Sequence, residues 1–121
     1  MTTPEIVICD DEPGVREALK LILEREYTLT FVTNGEEALA ALARRVPAMV
    51  ILDVKMPKMD GLEALRRISQ QHPGLKVLVI SGYESADIAA QAIACGAADY
   101  LTKPFDRHTV LAKARALTSS E

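Results

Sequence analysis

Reactive side chains stand at the ends of several strand-like runs in this sequence. Asp10 and Asp11 follow the first run, Asp53 follows a second, and Ser81 and Lys103 follow two later ones. If these runs are neighbouring parallel strands, which lie roughly 4.8 Å apart, the three carboxylates meet near one another. Carboxylates that close repel one another unless a cation joins them. Mg²⁺ fits best, because it binds one or two carboxylates, several waters and phosphate oxygens.

The same cluster predicts phosphoryl chemistry at Asp53. A carboxylate beside a metal can attack phosphorus and form an acyl phosphate. Phosphoryl transfer then depends on positive charge and hydrogen bonds around the phosphoryl oxygens. Lys103 starts roughly 10 Å away, at two strand spacings, and its long side chain would carry the charge, while Ser81 would offer a hydroxyl. We therefore expect Asp53 to be the nucleophile.

Each of these residues also has a plainer interpretation. An aspartate at a strand end commonly caps the next helix or turn. A lysine before proline and a serine before glycine, as at Lys103 and Ser81, are typical of loops and turns. Tyr100 on a short strand is typical of a half-buried aromatic residue. Taken as a set, the positions favour the functional interpretation.

Strand-like and helix-like stretches alternate along the sequence, which predicts a parallel sheet with a crossover helix after each strand. Three runs are continuously apolar, as expected of strands covered on both faces, whereas the second and fifth runs suit sheet edges. The predicted fold is α/β, a flavodoxin-like doubly wound five-stranded parallel sheet in the order 2-1-3-4-5 with five helices. The predicted strands are Glu5 to Asp10, Tyr27 to Val32, Ala48 to Asp53, Lys76 to Ile80 and Asp99 to Thr102.

The helices between these strands show the expected spacing and end signals. Val15, Leu19 and Leu23 share one face of the first helix. Asn34 stands where the second helix should begin, and Gly96 stands where the fourth should end. These positions predict helices with one apolar face against the sheet.

The fourth helix, near Ser85 to Cys95, differs from the others in its composition. It is mostly alanine, with Ile88 and Ile93 as its only large apolar anchors. Small side chains bury little apolar area, so we expect this helix to be the most loosely held. Asp60, three residues before Glu63, is the expected start signal of the preceding helix.

Length and composition limit the class of protein. The 121 residues match one domain, with a core over about residues 5–117 and a tail or linker start at 118–121. The net charge of -3, without a basic stripe, argues against direct binding of nucleic acid. The apolar runs are too short to span a membrane and no signal peptide is apparent, so the cytoplasm is the expected location. Cys9 and Cys95 have no histidines at ligand spacing and are expected to be buried free thiols.

The sequence resembles the receiver domains of bacterial two-component response regulators over about residues 5–117. Three segments carry most of the resemblance, and Ser81 matches a hydroxyl position between the second and third. They are Val7-Ile8-Cys9-Asp10-Asp11-Glu12, Leu52-Asp53-Val54-Lys55-Met56-Pro57-Lys58-Met59-Asp60-Gly61 and Leu101-Thr102-Lys103-Pro104-Phe105. Their order and spacing are typical of the family, whose members are phosphorylated signalling switches rather than conventional enzymes.

The resemblance implies a role for each residue. Asp53 would take a phosphoryl group from a sensor histidine kinase or a phosphotransfer protein. Asp11 and Asp53 would bind Mg²⁺ directly, Asp10 would bind it through water, and Lys55 would contribute its backbone carbonyl. Slow loss of the phosphoryl group would also be catalysed by the domain itself.

The resemblance also implies how the switch works. Ser81 and Tyr100 would move together on phosphorylation and change the surface made by the fourth helix, the fifth strand and the fifth helix. The bond between Lys103 and Pro104 is expected to be cis. The resemblance leaves open a homodimer and an output domain, either fused or separate.

Three other functions remain as alternatives. A flavodoxin-like electron carrier shares the strand order, but its phosphate-binding loop would be rich in Ser, Thr and Gly, whereas this chain has Asp10-Asp11-Glu12-Pro13 there. A phosphohydrolase with an aspartate nucleophile on its first strand would need an additional cap or a larger body. A degenerate receiver would serve only as an interaction module, although each residue needed for the chemistry is present here.

Overall fold

A computed structural model describes residues 3–54, 61–82 and 86–119, with the side chains of 86 and 87 left aside. Within these residues, five strands alternate with five helices. They are β1 (Glu5–Cys9), α1 (Pro13–Leu23), β2 (Thr28–Val32), α2 (Gly35–Arg44), β3 (Met49–Asp53), α3 (Gly61–Gln71), β4 (Lys76–Ser81), α4 (Ala86–Ala94), β5 (Asp99–Thr102) and α5 (Arg107–Thr118).

The five strands form one parallel sheet in the order β2-β1-β3-β4-β5, which confirms the predicted topology. The registers place Cys9 beside Leu52, Asp53 beside Ile80, and Ser81 beside Thr102. The carboxyl ends of β1, β3, β4 and β5 therefore meet at one edge of the sheet. The predicted strand ends were accurate to one residue, since Asp10 lies just beyond β1 and Ser81 closes β4.

Side chains that alternate along the strands divide the core into two clusters, one on each face of the sheet. On one face lies the α1/α5 cluster, which includes Leu19 and Leu23 as predicted from their helical spacing. On the other lies the α2/α3/α4 cluster. The buried members of the first are Ile6, Ile8, Leu19, Leu23, Tyr27, Met49, Ile51, Leu78, Ile80, Leu101, Val110 and Ala114. Those of the second are Val7, Cys9, Ala38, Leu42, Val50, Leu52, Val54, Leu65, Ile68, Val77, Val79, Ala92 and Ala97.

The predicted end signals of the helices are also present. The Asn34 side chain accepts a hydrogen bond of 2.9 Å from the backbone N–H of Glu37, which caps α2. Gly96 follows α4 with a φ of 115°, a left-handed conformation that favours glycine. A Cβ at Gly96 would also overlap the side chain of Ser69. Asp60 lies outside the described residues.

Two expectations about α4 and its end were wrong. Ile93 is 51% exposed and is not an anchor; Ile88 is partly buried and Ala92 is completely buried instead. The pattern of apolar residues did not reveal that the α4 face toward the sheet runs through Ala92 rather than Ile93. Cys95 is only partly buried, because it follows α4 in the turn toward β5, whereas Cys9 is buried as expected.

Candidate functional site

Three carboxylates meet at the carboxyl edge of the sheet, as the strand order predicts. Asp53 ends β3, and Asp10 and Asp11 follow β1, the strand beside it. Ligand oxygens from the three side chains all lie within 4.8 Å of one another. Asp10 and Asp53 are 0% and 2% exposed, whereas Asp11 is open to solvent. The two buried carboxylates offer hard oxygen ligands on the protein side of the cluster, and a cation can reach them from the solvent side, where Asp11 is exposed.

The Asp10 carboxylate shows why this cluster suits a cation. One oxygen, Oδ1, accepts a hydrogen bond of 2.8 Å from the backbone N–H of Glu12. The other, Oδ2, is buried and accepts no hydrogen bond from any residue that the structure describes, although Lys103 Nζ lies 3.4 Å away. A buried oxygen without a donor is costly unless a bound ion or water satisfies it. The donor set therefore fits Mg²⁺, which takes carboxylates and keeps waters of its own.

Burial changes the acidity of Asp10. The pKa of Asp10 is raised from 3.8 to about 6, mainly by burial and also by the nearby charge of Asp53, although the Glu12 backbone N–H and Lys103 act in the opposite direction. A carboxylic acid that resists ionisation in the metal-free protein would ionise readily once a cation is bound.

Lys103 reaches the carboxylates from the end of β5, two strands away from β3 in the sheet. Its ammonium donates hydrogen bonds to Asp53 Oδ2 at 3.1 Å and to Glu12 Oε1 at 2.7 Å. Burial by itself lowers the pKa of Lys103, but the hydrogen bonds to Glu12 and Asp53 outweigh it and the pKa is raised overall. Lys103 therefore carries a positive charge next to the candidate nucleophile.

Glu12 was not predicted as a site residue, yet it makes the shortest of the Lys103 contacts. Its carboxylate lies 2.7 Å from an ammonium 91 positions away in the chain. The acidic run Asp10-Asp11-Glu12 was the only signal of it in the sequence. That run does not show that Glu12 points toward β5 while Asp10 points toward β3.

Ser81 and Tyr100 lie on the same face of the sheet. Tyr100 pairs with Val79 and packs partly buried against the α2/α3/α4 cluster. Ser81 is two residues beyond Val79 on the same strand, completely buried, and its carbonyl accepts a 2.8 Å hydrogen bond from the backbone N–H of Lys103. The two candidate switch residues thus lie diagonally on neighbouring strands, Tyr100 on the edge strand β5 and Ser81 at the end of β4.

The remaining predicted features have separate outcomes. The peptide bond between Lys103 and Pro104 is cis, as expected. Lys55, expected to offer a backbone carbonyl, lies outside the described residues. Gly61, the first residue of α3, lies so close to Val54 that a Cβ there would overlap the Val54 backbone. Glycine at this position lets α3 begin against the residue that follows Asp53.

Comparison with known proteins settles the family. A family model described as "Response regulator receiver domain" matches residues 6–115. The chain belongs to this family. Receiver domains are parts of the response regulators of two-component systems, which are signalling proteins rather than conventional enzymes.

Two curated relatives are longer than this chain and match it over part of their length. DNA-binding transcriptional regulator NtrC of Salmonella typhimurium is 42% identical over 100 residues, which are 82% of this chain and 21% of that protein. Response regulator MprA of Mycobacterium sp. is 38% identical over 113 residues, covering 93% of this chain and 49% of MprA. The chain thus spans between about a fifth and a half of the length of these relatives.

Solved structures of receiver domains have the same fold. The receiver domain of NtrX from Brucella abortus superposes with a TM-score of 0.90 and 34% identity, covering 96% of this chain and 99% of that one. A CheY-like receiver domain protein from Methanospirillum hungatei gives a TM-score of 0.91 at 28% identity, covering 97% and 94%. Separately, none of the helices within the described residues is long and apolar enough to cross a membrane.

Proposed function

We propose that this receiver domain is a phosphorylation switch that accepts a phosphoryl group on Asp53 in the presence of Mg²⁺. A sensor histidine kinase or a phosphotransfer protein would donate the group. The observation that carries the proposal is the position of Asp53, 2% exposed, in a cluster of three carboxylates and 3.1 Å from the Lys103 ammonium.

Each residue of the site has a task in this reaction. An oxygen of the Asp53 carboxylate forms the new bond to phosphorus as the bond from phosphorus to the donor breaks, and the donor leaves with the electron pair. Lys103 offers positive charge to the phosphoryl oxygens, and Ser81 offers a hydroxyl from the neighbouring strand. Asp10 and Asp11 hold the cation with Asp53, and the Lys55 carbonyl would complete its protein ligands. Bound Mg²⁺ supplies charge neutralisation and orientation of the phosphoryl oxygens.

The state of Asp53 would be relayed through Ser81 and Tyr100 to the surface of α4, β5 and α5. Support comes from the shared sheet face of the two residues and from the exposure of α4, where Ala92 is the one buried side chain among residues 88–94. A charge-assisted hydrogen bond from Ser81 to the phosphoryl group contributes on the order of 1.5 to 3 kcal/mol. A complete swing between 1:99 and 99:1 needs about 5.5 kcal/mol, so a partner must add the remainder. A second copy of the chain or an output domain, fused or separate, would be that partner.

Labelling with acetyl phosphate tests the phosphorylation. With Mg²⁺, mass spectrometry should find one added phosphoryl group per chain, located on Asp53. Asp53→Asn, EDTA and Asp11→Ala should each abolish it, because they remove the nucleophile, the cation or a cation ligand. An exposed carboxylate changed in the same way, Glu24→Gln, should leave labelling intact. Labelling that persists in Asp53→Asn would refute the assignment.

A second experiment tests the relay. Chemical shifts are recorded with and without beryllofluoride, which takes the place of the phosphoryl group on the carboxylate. Shifts should change around Asp53 and also along α4, β5 and α5. If they change only at the carboxylates, the relay is wrong while phosphorylation at Asp53 still stands.

A further inference from the structure

The contacts of Lys103 indicate a competition within the site. Its ammonium lies 2.7 Å from Glu12, 3.1 Å from Asp53 and 3.4 Å from Asp10. The shortest contact therefore joins the lysine to a carboxylate outside the cluster of Asp10, Asp11 and Asp53. An ammonium has three N–H donors, and Glu12 occupies one of them.

The exposure of the Glu12 side chain allows its contact with Lys103 to break. Its side chain is 59% exposed, whereas that of Lys103 is 17% exposed. It stands at the start of α1, but its side chain makes no capping hydrogen bond there. An ion pair with one partner this exposed is weak. The amino terminus of α1 also stabilises the negative charge of Glu12 after the lysine has left. Water can therefore replace the lysine at little cost to Glu12.

The charge of Glu12 also opposes the arrival of a phosphodonor. Three carboxylates, those of Glu12, Asp53 and Asp10, surround the Lys103 ammonium, and an incoming phosphoryl group adds more negative charge. Because Glu12 is the most exposed of the three, its carboxylate stands on the solvent side of Lys103, from which the donor must approach.

We propose that Glu12 is a positioning residue that occupies one hydrogen-bond donor of the Lys103 ammonium in the resting state and thereby slows phosphorylation of Asp53. The inference rests on the proposed function and adds to it a residue that limits the rate of phosphorylation. In the reaction with acetyl phosphate, the Asp53 oxygen bonds to phosphorus as the bond from phosphorus to the acetate oxygen breaks, and acetate leaves. As this happens, Lys103 exchanges its hydrogen bond to Glu12 for one to a phosphoryl oxygen. The opposite role, in which Glu12 aims the lysine usefully at Asp53, predicts the reverse effect.

The rate of labelling of Glu12→Gln separates the two roles. At saturating Mg²⁺, the rate constant with acetyl phosphate should rise about two- to fivefold, the factor expected from loss of a partly exposed ion pair. Glu24→Gln, which makes the same change of charge at the other end of α1, should match the wild type. The increase should persist at high ionic strength, where long-range repulsion of the donor is screened.

A second readout needs neither metal nor donor. In the metal-free protein, the ε-methylene resonances of Lys103 should shift in Glu12→Gln and remain unchanged in Glu24→Gln, since only the first variant removes the negative charge beside the ammonium. Resonances that do not shift would overturn the inference.

The outcomes also separate this inference from the proposed function. If the wild type is labelled at Asp53 but Glu12→Gln reacts no faster, or gains speed only at low salt, the restraint by Glu12 is wrong. If the wild type is not labelled at Asp53, the proposed function itself fails.

Discussion

Replacing Asp10 with asparagine should stabilise the metal-free protein. In the wild type, burial beside Asp53 disfavours the charged form of Asp10 and raises its pKa to about 6. Asparagine removes the charge but keeps a carbonyl oxygen that can accept the Glu12 backbone N–H, which Asp10 Oδ1 accepts at 2.8 Å. The variant therefore loses the cost of burying a charge and retains the hydrogen bond.

The size of the effect follows from the two pKa values. The pKa of Asp10 rises from 3.8 to about 6 on folding, so the folded state binds the proton more tightly than the unfolded state. At 1.36 kcal/mol per pKa unit, ionisation costs the folded wild type about 3 kcal/mol above pH 7. The cost is absent well below pH 3.8, where both states are protonated, grows between pH 3.8 and about 6, and levels off above that. Near pH 5 it is about half as large.

Urea unfolding in EDTA measures this difference. The free energy of unfolding of Asp10→Asn should exceed that of the wild type at neutral pH, and the gap should shrink as the pH falls toward 5. Added Mg²⁺ should also reduce the difference in free energy of unfolding between the two proteins, because the ion binds the carboxylates of the native wild type and stabilises it. Glu24→Gln should show no such pH-dependent gain. An Asp10→Asn protein that is less stable at neutral pH, or a gap that does not depend on pH, would refute the reasoning.

Three further substitutions test the fold around the site by urea unfolding. Gly96→Ala should cost about 1–3 kcal/mol, because alanine at positive φ is strained and its Cβ overlaps Ser69; an unchanged midpoint would contradict this. Asn34→Ala should cost about 1 kcal/mol through loss of the α2 cap, and no loss would mean that water replaces the cap. Gly61→Ala should cost about 1–3 kcal/mol by overpacking against Val54 and should also slow phosphorylation of Asp53; normal labelling would show that the close approach is not needed.

Patterns along single elements predicted most of the fold. Continuous apolar runs identified the central strands, and alternation and shortness identified β2 and β5 as edges, because burial on one or both faces directly selects residue types. The cluster of Asp10, Asp11 and Asp53 followed from the strand order, since the carboxyl ends of neighbouring parallel strands meet.

Features that depend on side-chain direction were beyond the sequence patterns. Ile93 was expected to be an anchor because it is large and apolar, but a helix made mostly of alanine has no marked apolar face, and Ala92 occupies the buried position. The contact of Glu12 with Lys103 joins distant parts of the chain and depends on how α1 begins. Neither periodicity nor strand order encodes that geometry.

The complete burial of β3 has a mechanical consequence for the residue at its end. Met49 and Ile51 pack into the α1/α5 cluster and Val50 and Leu52 into the α2/α3/α4 cluster, so close-packed atoms surround the strand on both faces. Such interiors have low compressibility. Asp53 therefore ends a tightly packed strand, which should move little if the proposed phosphoryl group is attached. Under the proposed function, the displacement that phosphorylation causes is therefore expected to pass along the sheet edge, toward β4, β5 and the helices beyond them.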